Sequence, residues 1–266
     1  MSHSAADSAA VPDFLIVTER GGEPVTAAQI MRLEQRYGWA GELCRGKDVL
    51  EMACGTGTGL GHLKALSRTL IAGDLSETVL AVAQQHYGGR LDLRQFDACA
   101  APFPDGSFDV LILFEAIYYL SDVQRFLAEA QRLLRRGGLL LLATANKDLF
   151  DFNPSPYSKQ YLNPPELSAL LARAGFYSEF LGGSPAAAGG ATTSFLRFVK
   201  RAAVAMRLIP RSMRGKRLLK RLVFGRLLEM PRELKVGPEG FEPPVHIRPD
   251  QPDTVHQVLY CIATKA

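Results

Sequence analysis

The sequence has only four cysteines, Cys44, Cys54, Cys99 and Cys261, and no two of them form a CxxC pair. A zinc site needs clustered thiolates or histidines, and a disulfide framework needs paired cysteines in a short chain, so both are set aside. The four thiols read as reduced bystanders. Apolar runs are short as well: "LLLLATA" at 139–145 falls far below the roughly 18 residues of a membrane span. The first dozen residues lack the basic start and apolar core of a signal peptide, so 1–12 reads as a disordered tail and the chain is expected in the cytoplasm. Acids are missing from one long stretch. Between Phe180 and Leu228 there is no Asp or Glu, while Arg207, Arg214, Lys216, Arg217, Lys220 and Arg221 all lie there. A net charge of +4 therefore conceals a basic segment inside an otherwise acidic chain.

What is present is an alternation. A helix around 26–38 is followed by strand-like runs at 47–52, 69–74, 90–96, 108–114 and 139–145, with helix-like runs between them. The helix starts are chemically legible: Ser76, Ser121 with Gln124 three residues on, and Asn163 with two prolines and Glu166. Gly88, Gly137 and Gly175 stand where helices should stop. Such alternation implies right-handed βαβ crossovers and a mostly parallel sheet covered on both faces. Ligands of these sheets bind beyond the carboxyl ends of the strands.

The first such turn is "EMACGTGTGL", 51–60. Gly55, Gly57 and Gly59 permit positive φ and leave bare amides for a ligand, yet the position three after Gly57 is Leu60, so the dinucleotide fingerprint GxGxxG is not met. Glu51, Asp74 and Asp97 each fall at a strand end. Asp74, about twenty residues past the turn, stands where an acid accepts hydrogen bonds from ribose hydroxyls. Three acids along one crevice repel a phosphate and suit a cation.

"VLEMACGTGTG" resembles the first motif of class I S-adenosylmethionine-dependent methyltransferases, with Ala53 where a glycine is common. The resemblance continues through "GDLSE" (73–77), "FDACAAPFPDGSFDVLILFEAIYYL" (96–120) and "LLRRGGLLLLATA" (133–145), and is nearest to the type 11 group. It implies an α/β, Rossmann-like, seven-stranded sheet with an antiparallel last strand at 256–265, and residues 13–266 as one domain. S-adenosylmethionine is the implied cofactor, with no metal. Glu51, Ala53, Cys54, Gly55, Thr56 and Gly57 would surround its methionine portion, Asp74 its ribose, Leu75, Asp97 and Ala98 its adenine, and Phe114 the neighbourhood of the methyl group. Glu115, Tyr118 and Tyr119 are the candidate catalytic residues; the family's common Glu-His pair is replaced here by the two tyrosines. His62 and His246 are further candidates for a base.

About seventy residues separate a sixth strand near "YSEFLG" from the last one, far more than a hairpin needs. The excess, 184–250, reads as a helical insertion: two basic amphipathic helices broken at Pro210, then "GPEGFEPP" (237–244) as a return loop. A lid, recognition of an anionic acceptor, and peripheral membrane contact through 195–228 are its candidate uses. No RNA-binding module accompanies the basic stretch, so nucleic acid is set aside. The acceptor expected from the resemblance is a small molecule or glycan methylated at oxygen, in surface-polysaccharide or secondary-metabolite synthesis. The competing readings are a nicotinamide-dependent oxidoreductase or sugar epimerase, which shares the turn and ribose acid, and a non-catalytic nucleotide- or membrane-binding module.

Overall fold

The computed structural model describes residues 14–186, 227–237 and 241–266. Chain order runs β1 (Pro24–Val25), α1 (Ala27–Cys44), β2 (Asp48–Met52), α2 (Leu60–Leu66), β3 (Thr69–Asp74), α3 (Glu77–Tyr87), β4 (Asp92–Gln95) and β5 (Phe108–Phe114). It continues through α4 (Val123–Leu133), β6 (Leu134–Ala145), α5 (Pro164–Arg173), β7 (Phe176–Pro185), β8 (Leu228–Glu229), β9 (Val245–Ile247) and β10 (His256–Lys265). The main sheet has the order β4-β3-β2-β5-β6-β10-β7-β9. Its first five strands are parallel, and β10 inserts antiparallel between β6 and β7. This is the expected Rossmann-like α/β sheet.

It has eight strands where seven were expected. The eighth, β9, lies in the stretch assigned to the helical insertion and covers the open edge of β7 antiparallel, pairing Leu181 with His246. An exposed row of unpaired amides on β7 gives the returning chain that place. Of the basic helices expected across 195–228, residues 195–226 lie outside the described residues, as does the 1–12 tail, and Leu228 stands in strand β8 rather than in a helix. The described return, 227–237, is extended: β8 pairs with β1, Leu234 N–H donates to Thr58 O (2.7 Å), and Glu233 meets His86 and Arg90.

Alternation along β5 sends Leu111 and Leu113 into a core with α4 and α5, and Val110, Ile112 and Phe114 into a second core beneath α1 and α2. Both faces are covered, as a parallel sheet requires. Two local expectations fail for chemical reasons. The α4 N-cap is Asp122, whose carboxylate accepts from Arg125 N–H, because a charged acceptor one residue later displaces Ser121. Gly137 does not end a helix: α4 runs straight into β6, and Gly137 (φ 72) sits where the β5–β6 register shifts. Asn163 does form its capping box with Glu166, and Gly88 and Gly175 follow α3 and α5 with positive φ.

Phe126 of α4 is fully buried in the first core. Phe126→Ala is expected to lower the unfolding free energy by about 3–5 kcal/mol, through lost burial plus a residual cavity. Urea denaturation with an unchanged m-value checks this.

Candidate functional site

Strand β2 delivers Glu51 to the carboxyl edge, and the chain then turns through Ala53 (φ 55), Gly55 (φ 60) and Gly57 (φ 80). Positive φ at Ala53 stores about 1–3 kcal/mol of strain, the kind of distortion that clusters at functional sites. A Cβ on Gly59 would meet the Tyr37 ring at 2.2 Å, so only glycine lets α1 come this close. Tyr37 uses that approach to donate a 2.7 Å hydrogen bond to Glu51 Oε1. Glu51 is 1% exposed, and among the described residues its Oε2 has no partner. Burial pushes this carboxyl up to about 7, against the opposing pull of Tyr37 and Arg36. Cys54 is buried beside it, and Thr56 Oγ1 donates to Glu19 O at 2.7 Å. Tyr87 fastens the turn, donating to Gly57 O (2.8 Å) and accepting from Gly61 N–H (3.1 Å).

Register brings the second and third acids to the same edge, since Met52 pairs with Gly73 and Asp74 with Gln95. Asp74 Oδ2 accepts from Gly55 N–H (3.0 Å) and Oδ1 from Ser76 N–H (2.9 Å). Burial raises its pKa, with those amides opposing the shift. Leu75 beside it is 47% exposed, an apolar surface left open at the rim. Asp97 Oδ1 accepts from Cys99 N–H (2.8 Å), next to buried Ala98. Phe114 is buried edge-on against Tyr37 (5.7 Å between centroids), so it backs the Tyr37–Glu51 pair.

Just past β5, Glu115 also adopts positive φ (49°), held there by its N–H to Ala143 O (2.8 Å). Its Oε1 accepts from Arg36 Nη2 and its Oε2 from the Tyr118 hydroxyl, both at 3.0 Å. Burial alone would lower the Arg36 guanidinium, but Glu115 and Glu19 raise it above its usual value. Burial, then Glu115, pushes the Tyr118 phenol far up. Tyr118 and Tyr119 occupy a single 3-10 turn, Ile117–Tyr119. Tyr118 stacks on Tyr161 (4.5 Å, 22°), Tyr119 shares a 2.5 Å hydrogen bond with Ser155, and Phe14 closes edge-on over Tyr119 (5.4 Å). Segment 14–19 thus runs from this aromatic wall back to the glycine turn.

His62 packs on Gly41 of α1, away from Glu115, and burial lowers its pKa. His246 lies on β9, with three strands between it and β5, in a cavity of about 390 Å³ shared with Arg248 and Asp253. The structure joins neither histidine to Glu115. Sequence reasoning missed Arg36 and Tyr37, which meet the two glutamates. Little in the sequence marks them: Arg32, Glu34 and Gln35 stand just before them, and only the fold buries Gln35, Arg36 and Tyr37. Among the described residues no three potential metal ligands gather, and no helix is long and apolar enough to cross a membrane.

Known proteins resemble this chain in sequence and in fold. The profile of the methyltransferase domain family matches residues 50–142. The "Probable S-adenosylmethionine-dependent methyltransferase Rv3030" of Mycobacterium tuberculosis is 38% identical over 137 residues, half of this chain and half of that protein. The chain thus spans about half the length of that relative. A methyltransferase of the same description from Mycolicibacterium smegmatis is 34% identical over 177 residues, 64% of this chain and 68% of that one. A solved methyltransferase of Thermotoga maritima shares the fold, with a TM-score of 0.56 at 16% identity over 90% of this chain and 91% of its own.

The Glu51 geometry has a measurable consequence in the unliganded protein. The folded state keeps this proton up to about pH 7, whereas the unfolded chain releases it near the ordinary 4.5. Stability from this group is therefore full below about 4.5 and is lost as pH rises to about 7. Denaturation of wild type and Glu51→Gln across pH 4–8 should show the wild type losing ground to the variant through that window and no further above it. Parallel pH profiles would refute the raised pKa.

Proposed function

The chain belongs to the S-adenosylmethionine-dependent methyltransferases, and from that premise we propose that it transfers a methyl group from S-adenosylmethionine to a hydroxyl oxygen of a small-molecule acceptor. When bound, this cofactor supplies a methyl group already activated on a sulfonium. The residues of the chain have to hold, orient and keep water away.

The observation that carries the reading is the unpartnered, buried Oε2 of Glu51. A cationic amino group satisfies that oxygen, whereas a pyrophosphate would be repelled by it. Each Asp74 oxygen accepts one backbone N–H and retains a lone pair for a ribose hydroxyl. Leu75 offers its open face to a base, and Asp97 keeps one oxygen for an exocyclic amine beside Ala98. Ala53, Cys54, Gly55, Thr56 and Gly57 form the backbone wall, and Phe114 supports it through Tyr37.

On the acceptor side, Glu115 accepts the hydrogen bond of the acceptor hydroxyl and takes its proton. Arg36 and Tyr118 hold that carboxylate in place. Tyr118 keeps its own proton, because burial disfavours the phenolate, so it orients Glu115 rather than acting as a base. Tyr119, tied to Ser155, walls the acceptor. Sugars and aromatic rings both present faces to such a wall, which keeps glycan and secondary-metabolite acceptors within this proposal.

Calorimetric titration with S-adenosylmethionine, S-adenosylhomocysteine and NAD should give binding of the first two and none of the third. NAD binding alone would sink the proposal. Asp74→Ala should weaken S-adenosylhomocysteine by about 1.5–3 kcal/mol, the range for hydrogen bonds to charged groups. Glu115→Gln should leave that affinity in place and lower kcat for a hydroxyl acceptor by about 10²-fold or more. An unchanged kcat would remove Glu115 as the base.

A further inference from the structure

On α1, one turn before Arg36, stands Arg32. Residues i and i+4 share a helix face, so the two arginines project from the same side of α1. Arg36 is buried and spends Nη2 on Glu115, while its Nε has no partner among the described residues. Arg32 is half-buried, and its one hydrogen bond among the described residues runs from Nη1 to the neutral amide oxygen Gln257 Oε1 (3.1 Å). No described carboxylate pairs with it. Burial lowers its pKa, and among the neighbouring charges Glu19 opposes that shift more strongly than Arg36 adds to it, with Glu115 also opposing. A half-buried guanidinium with five donors and one neutral acceptor leaves donors for a ligand.

Its place in the fold says which ligand. Gln257, the second residue of β10, accepts Asn146 N–H (3.1 Å) on its carbonyl just beyond β6, so Arg32 reaches from α1 to where β6 ends and β10 begins. The Glu51 and Asp74 end of the crevice lies on the opposite side of β5. The aromatic wall of Tyr118, Tyr119 and Tyr161 stands on the same side as Glu115. Glu115 pairs with Arg36, whereas among the described residues no carboxylate lies within ion-pair distance of Arg32.

We propose that Arg32, flanked by Arg36 and Gln257, is the specificity residue for an acceptor that carries a carboxylate on an aromatic ring. The planar guanidinium fork matches a carboxylate, and with Glu19 and Glu115 already acting on Arg32 and Arg36 a monoanion is favoured over a phosphate dianion. This inference rests on the methyltransferase reading of the same cleft.

The test uses protein saturated with S-adenosylhomocysteine and titrates it by calorimetry with benzoate and with benzamide, its neutral counterpart. Benzoate is expected to bind at least about tenfold more tightly, the equivalent of one charge-assisted contact. Arg32→Met should abolish that preference and leave S-adenosylhomocysteine affinity unchanged. Equal binding of the two probes, binding of neither, or a preference that survives in Arg32→Met overturns the inference. So does a loss of S-adenosylhomocysteine affinity in Arg32→Met, which would assign the guanidinium to the carboxylate of the cofactor instead. If the wild type does not bind S-adenosylhomocysteine at all, the methyltransferase reading falls and takes this inference with it.

Discussion

Taking the carboxylate of Glu51 out of water costs several kcal/mol, and Tyr37 offsets only part of that with one hydrogen bond. The remaining oxygen is left without a partner. Much of the surrounding structure exists to keep this arrangement in place. Gly59 lets Tyr37 approach, Phe114 and Trp39 pack behind the phenol ring, and Tyr87 ties the turn from the α3 side. A well-packed apolar residue at position 51 would avoid the cost altogether. Such a local sacrifice of stability is expected where a site awaits a charged ligand.

The carboxyl edge divides at β5. On one side the acids of β2, β3 and β4 face the glycine turn, and on the other Glu115 is held between Arg36 and Tyr118. Helix α1 spans the divide, since neighbouring residues Arg36 and Tyr37 serve different glutamates, Glu115 and Glu51. A helix places successive side chains about 100° apart, so one turn of α1 reaches both strand ends at once. The two sites cannot shift independently.

Much of the fold was legible because its signals are local. The bounds of β3, β5 and β10 follow from apolar runs closed by turn residues, and the Asn163 capping box and Gly175 from short-range chemistry. The acids at strand ends were legible for the same reason. What the sequence hid depends on contacts between distant residues. Arg36 meets Glu115 and Arg32 meets Gln257 only once the chain has folded. Strand β9 is three residues long, too short for a period-two pattern, and exists because β7 offers an edge. The cap at Asp122 fell between these cases: Ser121 and Asp122 are both good caps, and register alone decides between them.

In the proposed reaction, the ammonium held by Glu51 belongs to substrate and product alike. Binding realised equally in both states lowers no barrier. Glu51 can therefore fix the position of the cofactor without accelerating the transfer, and so can Asp74, whose ribose partner is also unchanged. Selectivity for the transition state has to arise beyond β5, where the acceptor oxygen gains its bond and loses its proton. The strain at Glu115 is informative there. A positive φ in a non-glycine residue, fixed by the Ala143 carbonyl and by Arg36 and Tyr118, is a carboxylate immobilised in advance. Immobilisation in advance matters little for affinity and much for rate, because the group need not be reorganised as the proton moves. Under this proposal the division of the edge is also a division of labour: the acids of β2 and β3 would hold the cofactor, and one strained, doubly held glutamate would handle the acceptor.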